Sequence, residues 1–580
     1  MKFGQLCAVA IAATKIANAS NCKCASTYSL VLGTLHKPYW NWNHLLKAIG
    51  TWRLLLAFGC GVDGPQRNRF RKASQDLCYK DQPNYDEAAC QAVLSNWNTA
   101  AFHSADPVSV HSPWYANNSC NPIHENGTSH SGDPLAGSRG CTMGRYPAYS
   151  VNVTSAEDVQ AAVKFAREHN LRLNVKNTGH GYSKFRPEMP YAQLNHTHTS
   201  VGYDIGAGIQ DDEAFRAAAE HGVAVVGGTN ADVGLVGWAV AGGHGWLTSE
   251  YGMGADSIIE ATVVTPTGDI ITANECQNSD VFWAIRGSGG GTFGVITELT
   301  VKAHPMPQAT TWILSVDKSP KTTVKDWWSL IADLHTELPA LQAGGPPSYK
   351  SLHFSFFFFI YSKPNGTAEA LARPVMSRLQ DAASEVTVSS NITYFSDWFT
   401  VYEMLPVAAM SGAAGGGGAT VSRLIPAAPL TDNVQKMAQV LEAVGPRAEP
   451  PSSGISNPTI AGGLIANSVP VDNALNPAWR VAVVHFLVTR GVGTILLLTL
   501  RWHRVGGALR SLAPESGAYI NEADDREPDW QRTFWGPNYD RLREIKKKYD
   551  PDSIQWCHRC VGSEDWVELM DGRLCRSSSQ

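Results

Sequence analysis

The spacing of apolar side chains along this chain becomes regular only after residue 141. Residues 148–153 (AYSVNV) alternate apolar and polar side chains like a strand. Val159, Ala162, Val163 and Ala166 then recur at helical spacing behind Ser155, which with Asp158 resembles a capping box. Short strands and helices continue to about residue 306, including two strands around the turn at 266–269 (PTGD). The pattern predicts a mixed α+β unit.

A different pattern begins near residue 308. Residues 351–362 (SLHFSFFFFIYS) and 479–491 (WRVAVVHFLVTRG) are long β-rich runs, and residues 322–338 have the apolar spacing of a helix. The change predicts a second domain. Its aromatic side chains suit either a sheet packed under helices or the wall of an apolar substrate pocket. Near the end, residues 538–549 predict an amphipathic helix stopped by Asp550 and Pro551.

Length and charge limit the class of protein. A chain of 580 residues is too long for one ordinary core, and 43% hydrophobic residues indicate a globular protein. The net charge of −5 gives no general attraction to nucleic acid or anionic membranes, so neither is expected as a partner. We find no uninterrupted apolar run of about 18 residues and expect no membrane span.

The N-terminus and the sequons predict a secreted glycoprotein. Residues 1–19 carry Lys2, an apolar run and small residues suited to cleavage before Ser20, although Lys15 makes the signal imperfect. Six asparagines open N-x-S/T sequons: Asn117, Asn126, Asn152, Asn195, Asn365 and Asn391.

Cysteine spacing supports that localisation. Eleven cysteines follow Cys7, and seven of them lie between residues 22 and 141, which predicts an irregular region at 20–140 stapled by disulfides, with one cysteine left over. Cys557 and Cys560 (CHRC) have the spacing of a redox pair or half a zinc site. Without a second close pair, a structural disulfide or two separate bridges is the favoured interpretation, and no metal is expected.

One glycine run imitates a dinucleotide-binding motif. Residues 289–294 satisfy G-x-G-x-x-G, but residues 280–286 before them predict a helix and residues 294–303 after them predict a strand. A Rossmann loop needs the opposite order. These glycines therefore predict either a close pass of backbone beside a ligand or simple tight turning.

Three more glycine clusters lie close together in the sequence, at 177–181 (NTGHG), 227–234 (GGTNADVG) and 241–256 (AGGHGWLTSEYGMGAD). Consecutive turn amides can form an anion-binding nest without a helix. His180, between two glycines, is the residue in these clusters with the most distinctive setting. Taken alone, a histidine in a turn would be expected only to hydrogen-bond its neighbours.

The ordered motifs resemble a known family. Residues 149–182, 227–273 and 280–305 are similar to the flavin-binding domain of the vanillyl-alcohol oxidase/p-cresol methylhydroxylase (PCMH) superfamily. Residues 516–557 resemble the C-terminal element of its berberine-bridge-enzyme-like branch, in the form common among secreted fungal oxidases. The resemblance implies an α+β fold with a two-part PCMH-type FAD-binding domain (141–307). It also implies a substrate domain with an antiparallel sheet covered by helices (308–514) and a C-terminal element (515–580).

The same resemblance implies a set of cofactor-binding residues. His180 takes the place of the histidine joined covalently to the 8α-methyl of FAD. Asn230 stands where members with two links carry a cysteine, so a link through His180 alone is expected, and Asn230 is either a hydrogen-bond partner near the ring or a turn residue. Val295 and Ile296 are either flavin or adenine contacts or ordinary core. The remaining implied FAD-binding residues are Lys176, Asn177, Thr178, Gly179, Gly181, Gly242, Gly243 and Asn521.

The motif at 518–521 (AYIN) matches the family's Y-x-N. It implies that Tyr519 lies beside the substrate as a base or an orienting phenol, or else is an ordinary interface tyrosine. A phenol has an unperturbed pKa near 10, so it needs help to act as a base at neutral pH.

The activity implied is oxidation of a small organic substrate, such as an alcohol, an amine or a secondary-metabolite intermediate. Hydride would pass to FAD, with oxygen as the expected acceptor. Two departures from the family pattern, a short segment at 182–203 and an unusual one at 25–76, keep two alternatives open. One is a flavin dehydrogenase with another acceptor, and the other is an inactive secreted glycoprotein of the same fold.

Overall fold

The structure is a computed structural model. It describes residues 22–23, 29–32, 76–83, 85–106, 109–112, 120–124, 126–130, 135–141, 147, 149–151, 153, 155–180, 202–341, 347–350, 353–405, 418–447, 459–464, 470–491, 495–524, 526–569 and 574–577. Gly181, most of the two departing segments, and the sequons at Asn117, Asn152 and Asn195 lie outside these residues.

The described strands, in chain order, are β1 Cys22–Lys23, β2 Ser29–Leu32, β3 Tyr149–Val151, β4 Arg172–Val175, β5 Gly202–Gly206, β6 Val223–Val225, β7 Ile258–Val264, β8 Ile270–Asn274, β9 Val295–Pro305, β10 Ala309–Lys318, β11 Pro347–Lys350, β12 His353–Tyr361, β13 Val386–Phe395, β14 Gly418–Pro426, β15 Thr459–Leu464, β16 Ala482–Gly491, β17 Trp566–Glu568 and β18 Leu574–Arg576.

The described α-helices are α1 Glu87–Asn96, α2 Ala100–Ala105, α3 Ala136–Arg139, α4 Ala156–Glu168, α5 Asp211–Ala219, α6 Leu235–Val240, α7 Thr248–Tyr251, α8 Gly254–Ser257, α9 Ser279–Ile285, α10 Val324–His335, α11 Thr367–Asp381, α12 Trp398–Met404, α13 Ala427–Thr431, α14 Val434–Val444, α15 Ala478–Val481, α16 Ile495–Leu512, α17 Trp530–Trp535 and α18 Tyr539–Tyr549. Short 3-10 turns occur at Asp76–Cys78, Leu338–Leu341, Ile520–Glu522, Gly536–Asn538 and Ser563–Asp565.

Two sheets build the first half of the molecule. In one, β2 pairs in parallel with both β3 and β4. In the other, β5, β9, β7 and β8 are antiparallel neighbours, and β6 pairs with the far end of β9. The predicted local signals are confirmed. The Ser155 side chain accepts the amide of Asp158 at 3.1 Å to start α4, and β7 and β8 form a hairpin whose Gly268 has φ +86°.

A seven-stranded antiparallel sheet forms the second half, in the order β13-β10-β12-β11-β15-β16-β14. Helices α10, α11, α14 and α16 pack on it over a core of its own, in which Trp312 of β10 and Trp327 of α10 are fully buried. The predicted fold class, α+β with an antiparallel sheet covered by helices, is confirmed.

The order of elements around residues 279–305 shows that the glycine run is not a dinucleotide-binding loop. Helix α9 comes before the glycines and β9 after them, which confirms the prediction that these glycines do not form a Rossmann loop. Among the described glycines here, Gly291 has φ +65°, and a Cβ added to it would meet nothing within 4 Å.

The C-terminal element contacts both halves. The backbone amide of Leu424 in β14 of the second half donates to the carbonyl of Gly517 at 2.9 Å. The Trp535 indole donates to the carbonyl of Ser288 at 3.2 Å, and the buried Lys546 ammonium donates to the carbonyl of Thr292 at 2.6 Å. Strands β17 and β18 form a small sheet with β1.

Three disulfides are described, joining Cys78 to Cys90, Cys120 to Cys141, and Cys557 to Cys560. The last is a single disulfide within CHRC, so the alternative of two separate bridges is wrong. Cys276 is free and exposed. None of the described helices is long and apolar enough to cross a bilayer.

Candidate active site

His180 lies in the loop that follows β4, beside the second glycine cluster. Its Nε2 lies 3.2 Å from the side-chain nitrogen of Asn230 and 3.8 Å from a carboxylate oxygen of Asp232. The ring is 9% exposed. Asn230 is therefore a direct neighbour of His180.

A layer of histidines from the N-terminal region lies behind this loop. The backbone amide of His111 donates to the carbonyl of Gly179 at 2.9 Å, and the His111 ring centroid is 4.8 Å from that of His180. Burial, followed by repulsion from His180, lowers the pKa of His111 well below its usual value. The sequence analysis missed this support, because residues 100–112 lie in the region without clear periodicity.

Lys176 packs behind the loop rather than over its open side. Its ammonium donates to the carbonyls of Ser104 and Asn177 at 3.2 and 3.0 Å. Burial lowers its pKa to about 8, against the attraction of Asp106. A Cβ added to Gly179, which has φ +77°, would lie 3.1 Å from the Lys176 side chain. Lys176 and the absence of a side chain at Gly179 together fix the path of the loop.

Glycines bring the other segments together at van der Waals distance. A Cβ on Gly245 would lie 1.8 Å from the carbonyl oxygen of Gly227, and one on Gly234 would lie 2.2 Å from the Asn177 amide. Gly242 and Gly243, at φ +125° and +67°, pack against Leu475 and Trp238 respectively. These glycines serve contact between protein segments, in addition to any approach to the cofactor.

Val295 and Ile296, at the start of β9, pair with Val264 and Val263 of β7 and are 1% and 5% exposed. Both belong to the main core of the first half. Both side chains therefore lie in the hydrophobic core.

Tyr519 and Asn521 are buried together. The Asn521 side-chain amide donates to the Tyr519 hydroxyl at 3.0 Å, and that hydroxyl donates to the carbonyl of Trp238 at 3.4 Å. Tyr519 is 2% exposed, and its ring packs edge-on against His244, with centroids 5.3 Å apart. The geometry suits an orienting phenol.

Next to this tyrosine lies a cluster that the sequence did not reveal. His244 Nε2 donates to Glu522 at 3.0 Å, and His485 Nδ1 of β16 is 3.7 Å from the same carboxylate oxygen. The three residues are 37 to 278 positions apart in sequence, and no local motif unites them. One ring nitrogen of each histidine and one oxygen of Glu522 lie within 4.8 Å of one another. The corresponding atoms of His111, His180 and Asp232 form a second group of the same size.

An aromatic wall faces this region from the second half of the molecule. Trp246 packs edge-on against Phe357 and Phe359 of β12, with ring centroids 6.2 and 5.2 Å away. The Trp479 ring stacks beside His244 at 6.0 Å. The sheet side chains here contribute both to the core and to the neighbourhood of the site.

The residues present fit a flavin nucleotide. The Thr178 hydroxyl is buried and has no hydrogen-bond partner among the described residues, and Gly291 leaves open space at a left-handed turn. Both lie in glycine segments that can present backbone amides to an anion. His180 and Thr178 are thus the described residues best suited to hold the ring and the phosphates.

Comparisons with known proteins agree with this fit. Residues 147–274 match the family described as "FAD binding domain", and residues 518–560 match "Berberine and berberine like". The chain is 30% identical to the FAD-linked oxidoreductase patO of Aspergillus clavatus, over 85% of this chain and 87% of that protein. It is 32% identical to the VAO-type flavoprotein oxidase VAO615 of Thermothelomyces thermophilus, over 86% of this chain and 89% of that protein.

Solved structures show the same fold. The crystal structure of the VAO-type flavoprotein MtVAO713 from Myceliophthora thermophila C1 superposes with a TM-score of 0.77 at 26% identity, covering 96% of this chain and all of that one. The chain therefore belongs to the berberine-bridge-enzyme-like branch of the vanillyl-alcohol oxidase/PCMH superfamily and is an FAD-dependent oxidoreductase.

Proposed function

We propose that this enzyme is an oxidase that removes hydride from a C–H bond of a small alcohol, amine or related secondary-metabolite intermediate and passes the electrons to molecular oxygen. The cofactor supplies the two-electron chemistry, and the protein binds and orients it. The single observation that supports the proposal is the arrangement of His180, its glycine loop and a His–Glu pair beneath an aromatic wall. The relative named as a flavoprotein oxidase favours oxygen as the acceptor.

Anaerobic flavin bleaching tests this proposal. Purified protein is mixed with a panel of primary and secondary alcohols and amines carrying aromatic or aliphatic substituents. We expect one or more of them to bleach the flavin and air to restore its colour with formation of hydrogen peroxide. Bleaching that air does not reverse, but an added electron acceptor does, would indicate a dehydrogenase. No bleaching with any compound would support the inactive alternative.

We further propose that FAD is tethered through His180 alone. His180 follows Gly179, which has φ +77°, and Asn230, which cannot form a thioether, lies 3.2 Å from its ring. Flavin should therefore precipitate with acid-denatured protein, and peptide mapping should find one adduct on the His180 peptide. In His180→Ala, FAD should bind and then be released on denaturation, because the turn amides remain. Flavin released from wild type in acid, or an adduct only on another residue, would contradict the tether.

Secretion is likewise proposed. The sequon residues Asn126, Asn365 and Asn391 are exposed, and three disulfides are described, which suits an oxidising compartment. Treatment with an N-glycosidase should lower the apparent mass of protein produced in a eukaryotic secretory host. An unchanged mass together with an intact Met1 would contradict this proposal.

A further inference from the structure

Three side chains from distant parts of the chain meet beside Tyr519. His244 follows α6, His485 lies on β16, and Glu522 ends the Ile520–Glu522 turn. The Glu522 carboxylate accepts the Nε2 proton of His244 at 3.0 Å. A hydrogen bond of this kind fixes the tautomer of the imidazole and leaves Nδ1 as the acceptor atom of the neutral ring.

The side chains of His244 and Glu522 are more exposed to solvent than those of the neighbouring His485 and Tyr519. The side chains of His244 and Glu522 are 19% and 20% exposed, whereas that of His485 is 2% exposed and Tyr519 is 2% exposed. Part of each of these two side chains therefore remains exposed. Tyr519, in contrast, has its hydroxyl engaged by Asn521 and by the carbonyl of Trp238.

The pair also lies on the same site as His180. Gly245, next to His244, packs directly against Gly227, which leads into the segment that carries Asn230, and the Asn230 side chain lies 3.2 Å from His180. This contact joins the segment that carries His244 to the segment that neighbours His180.

We propose that His244 is the catalytic base that accepts the substrate proton, and that Glu522 is a positioning residue that holds its ring. The inference rests on the proposed function. The substrate C–H bond breaks with its electron pair going to FAD, while the O–H or N–H bond on the same carbon centre gives its proton to Nδ1 of His244. A C=O or C=N bond forms, and the substrate is oxidised by two electrons.

The surrounding charges are consistent with this division of roles. Burial opposes ionisation of Glu522, but the surrounding histidines, His244 first, outweigh it and lower the pKa of Glu522 to about 2. Burial and then repulsion from His244 lower the pKa of His485 to about 3, so His485 is neutral. Arg480 of α15 is already paired with Asp256 of α8 at 2.6 Å.

The first test measures directly which ring nitrogen of His244 carries the proton, and it does not require catalytic turnover. In FAD-loaded protein with ¹⁵N-labelled histidine, NMR should show a His244 ring protonated at Nε2 in wild type, assigned by its absence in His244→Asn. Glu522→Gln should lose that fixed tautomer. The matched control is Asp317→Asn, which breaks the exposed pair of Asp317 with His353 (2.7 Å) on the seven-stranded sheet and should leave the His244 signal unchanged.

The second test measures the rate of anaerobic flavin bleaching against pH, with the alcohol that bleaches wild type fastest. In wild type the rate should rise with pH to a plateau as the base loses its proton. His244→Asn should lower the plateau by about 10²- to 10⁴-fold, the usual contribution of a general base, and abolish that ionisation. Asp317→Asn should follow wild type.

The outcomes separate this inference from the proposed function. A wild-type protein that no compound bleaches refutes the function itself. If wild type bleaches and His244→Asn and Glu522→Gln keep its rate and pH profile, only the base assignment is overturned. The assignment also fails if Tyr519→Phe alone removes the ionisation, or if elemental analysis finds a stoichiometric metal that His244→Asn releases.

Discussion

At the scale of single residues, this protein buries several histidines in their neutral form. Burial lowers the pKa of His103 and His335 to about 4 and that of His485 to about 3, in each case as the largest cause. His335 is on α10, with its Nδ1 2.7 Å from the carbonyl of Ile331 and its ring stacked on Phe486 of β16. Such rings stay neutral in the fold at pH values where the unfolded chain is protonated.

This predicts that acid destabilises the protein. A histidine whose folded pKa lies below its unfolded value of about 6.5 makes the unfolded state bind more protons between the two, so stability falls as pH drops through that window. For His335 the window is about pH 6.5 to 4, and the slope is roughly 1.4 kcal/mol per pH unit. Denaturant unfolding of wild type and His335→Phe at several pH values checks this. The variant should have a shallower slope by about that amount, and equal slopes would contradict the prediction.

At the scale of elements, the site is built from turns between regular elements rather than from the elements themselves. The His180 loop follows β4, the Asn230 segment follows β6, and Gly291 lies between α9 and β9. The glycines in these segments let their backbones approach one another closely. Whether Gly291 meets the cofactor or only completes a turn is a question that a substitution can answer.

We predict that Gly291→Ala lowers FAD content whereas Gly222→Ala does not. The two glycines have φ +65° and +68°, and an added Cβ would meet no protein atom within 4 Å at either position. Both substitutions should therefore cost roughly 1–2 kcal/mol of stability for the left-handed backbone. Gly222 lies after α5 and outside the predicted site, so it is the matched control. The flavin-to-protein ratio of the purified variants is the measurement, and equal ratios would show that Gly291 serves turning alone.

The same comparison of elements shows what the sequence could predict. Helix α4, the β7–β8 hairpin and the α9-glycine-β9 order depend on local signals such as the Ser155 cap, and all were predicted. His111 and His485 were not identified as neighbours of the site, because their positions depend on long-range packing. A residue 69 positions from His180 and a residue on β16 reach the site only once the sheets are assembled. Periodicity carries no information on such pairings.

At the scale of the whole molecule, the C-terminal element is tied to the glycine loop of the first half by one buried lysine. The Lys546 ammonium, in a residue 5% exposed, donates to the carbonyls of Thr292 and Gln555 and to Asp550, all within 2.7 Å. Asp550 in turn accepts the amides of Ile554 and Gln555. One ammonium therefore ties α18 and the turn after it to the loop between α9 and β9.

We predict that Lys546→Met destabilises the protein by about 3–5 kcal/mol, because it leaves the Asp550 carboxylate buried without its cation. The control is Lys548→Met on the same helix. Lys548 pairs with Asp280 on the surface and has a side chain 62% exposed, so its loss should cost about 0–1 kcal/mol. Denaturant unfolding of both variants gives the comparison, and the flavin-to-protein ratio shows whether the glycine loop is disturbed as well. If the two variants unfold at the same denaturant concentration, the C-terminal element does not depend on this buried ion pair. If Lys546→Met is less stable but keeps its flavin, the element supports the fold without shaping the cofactor site.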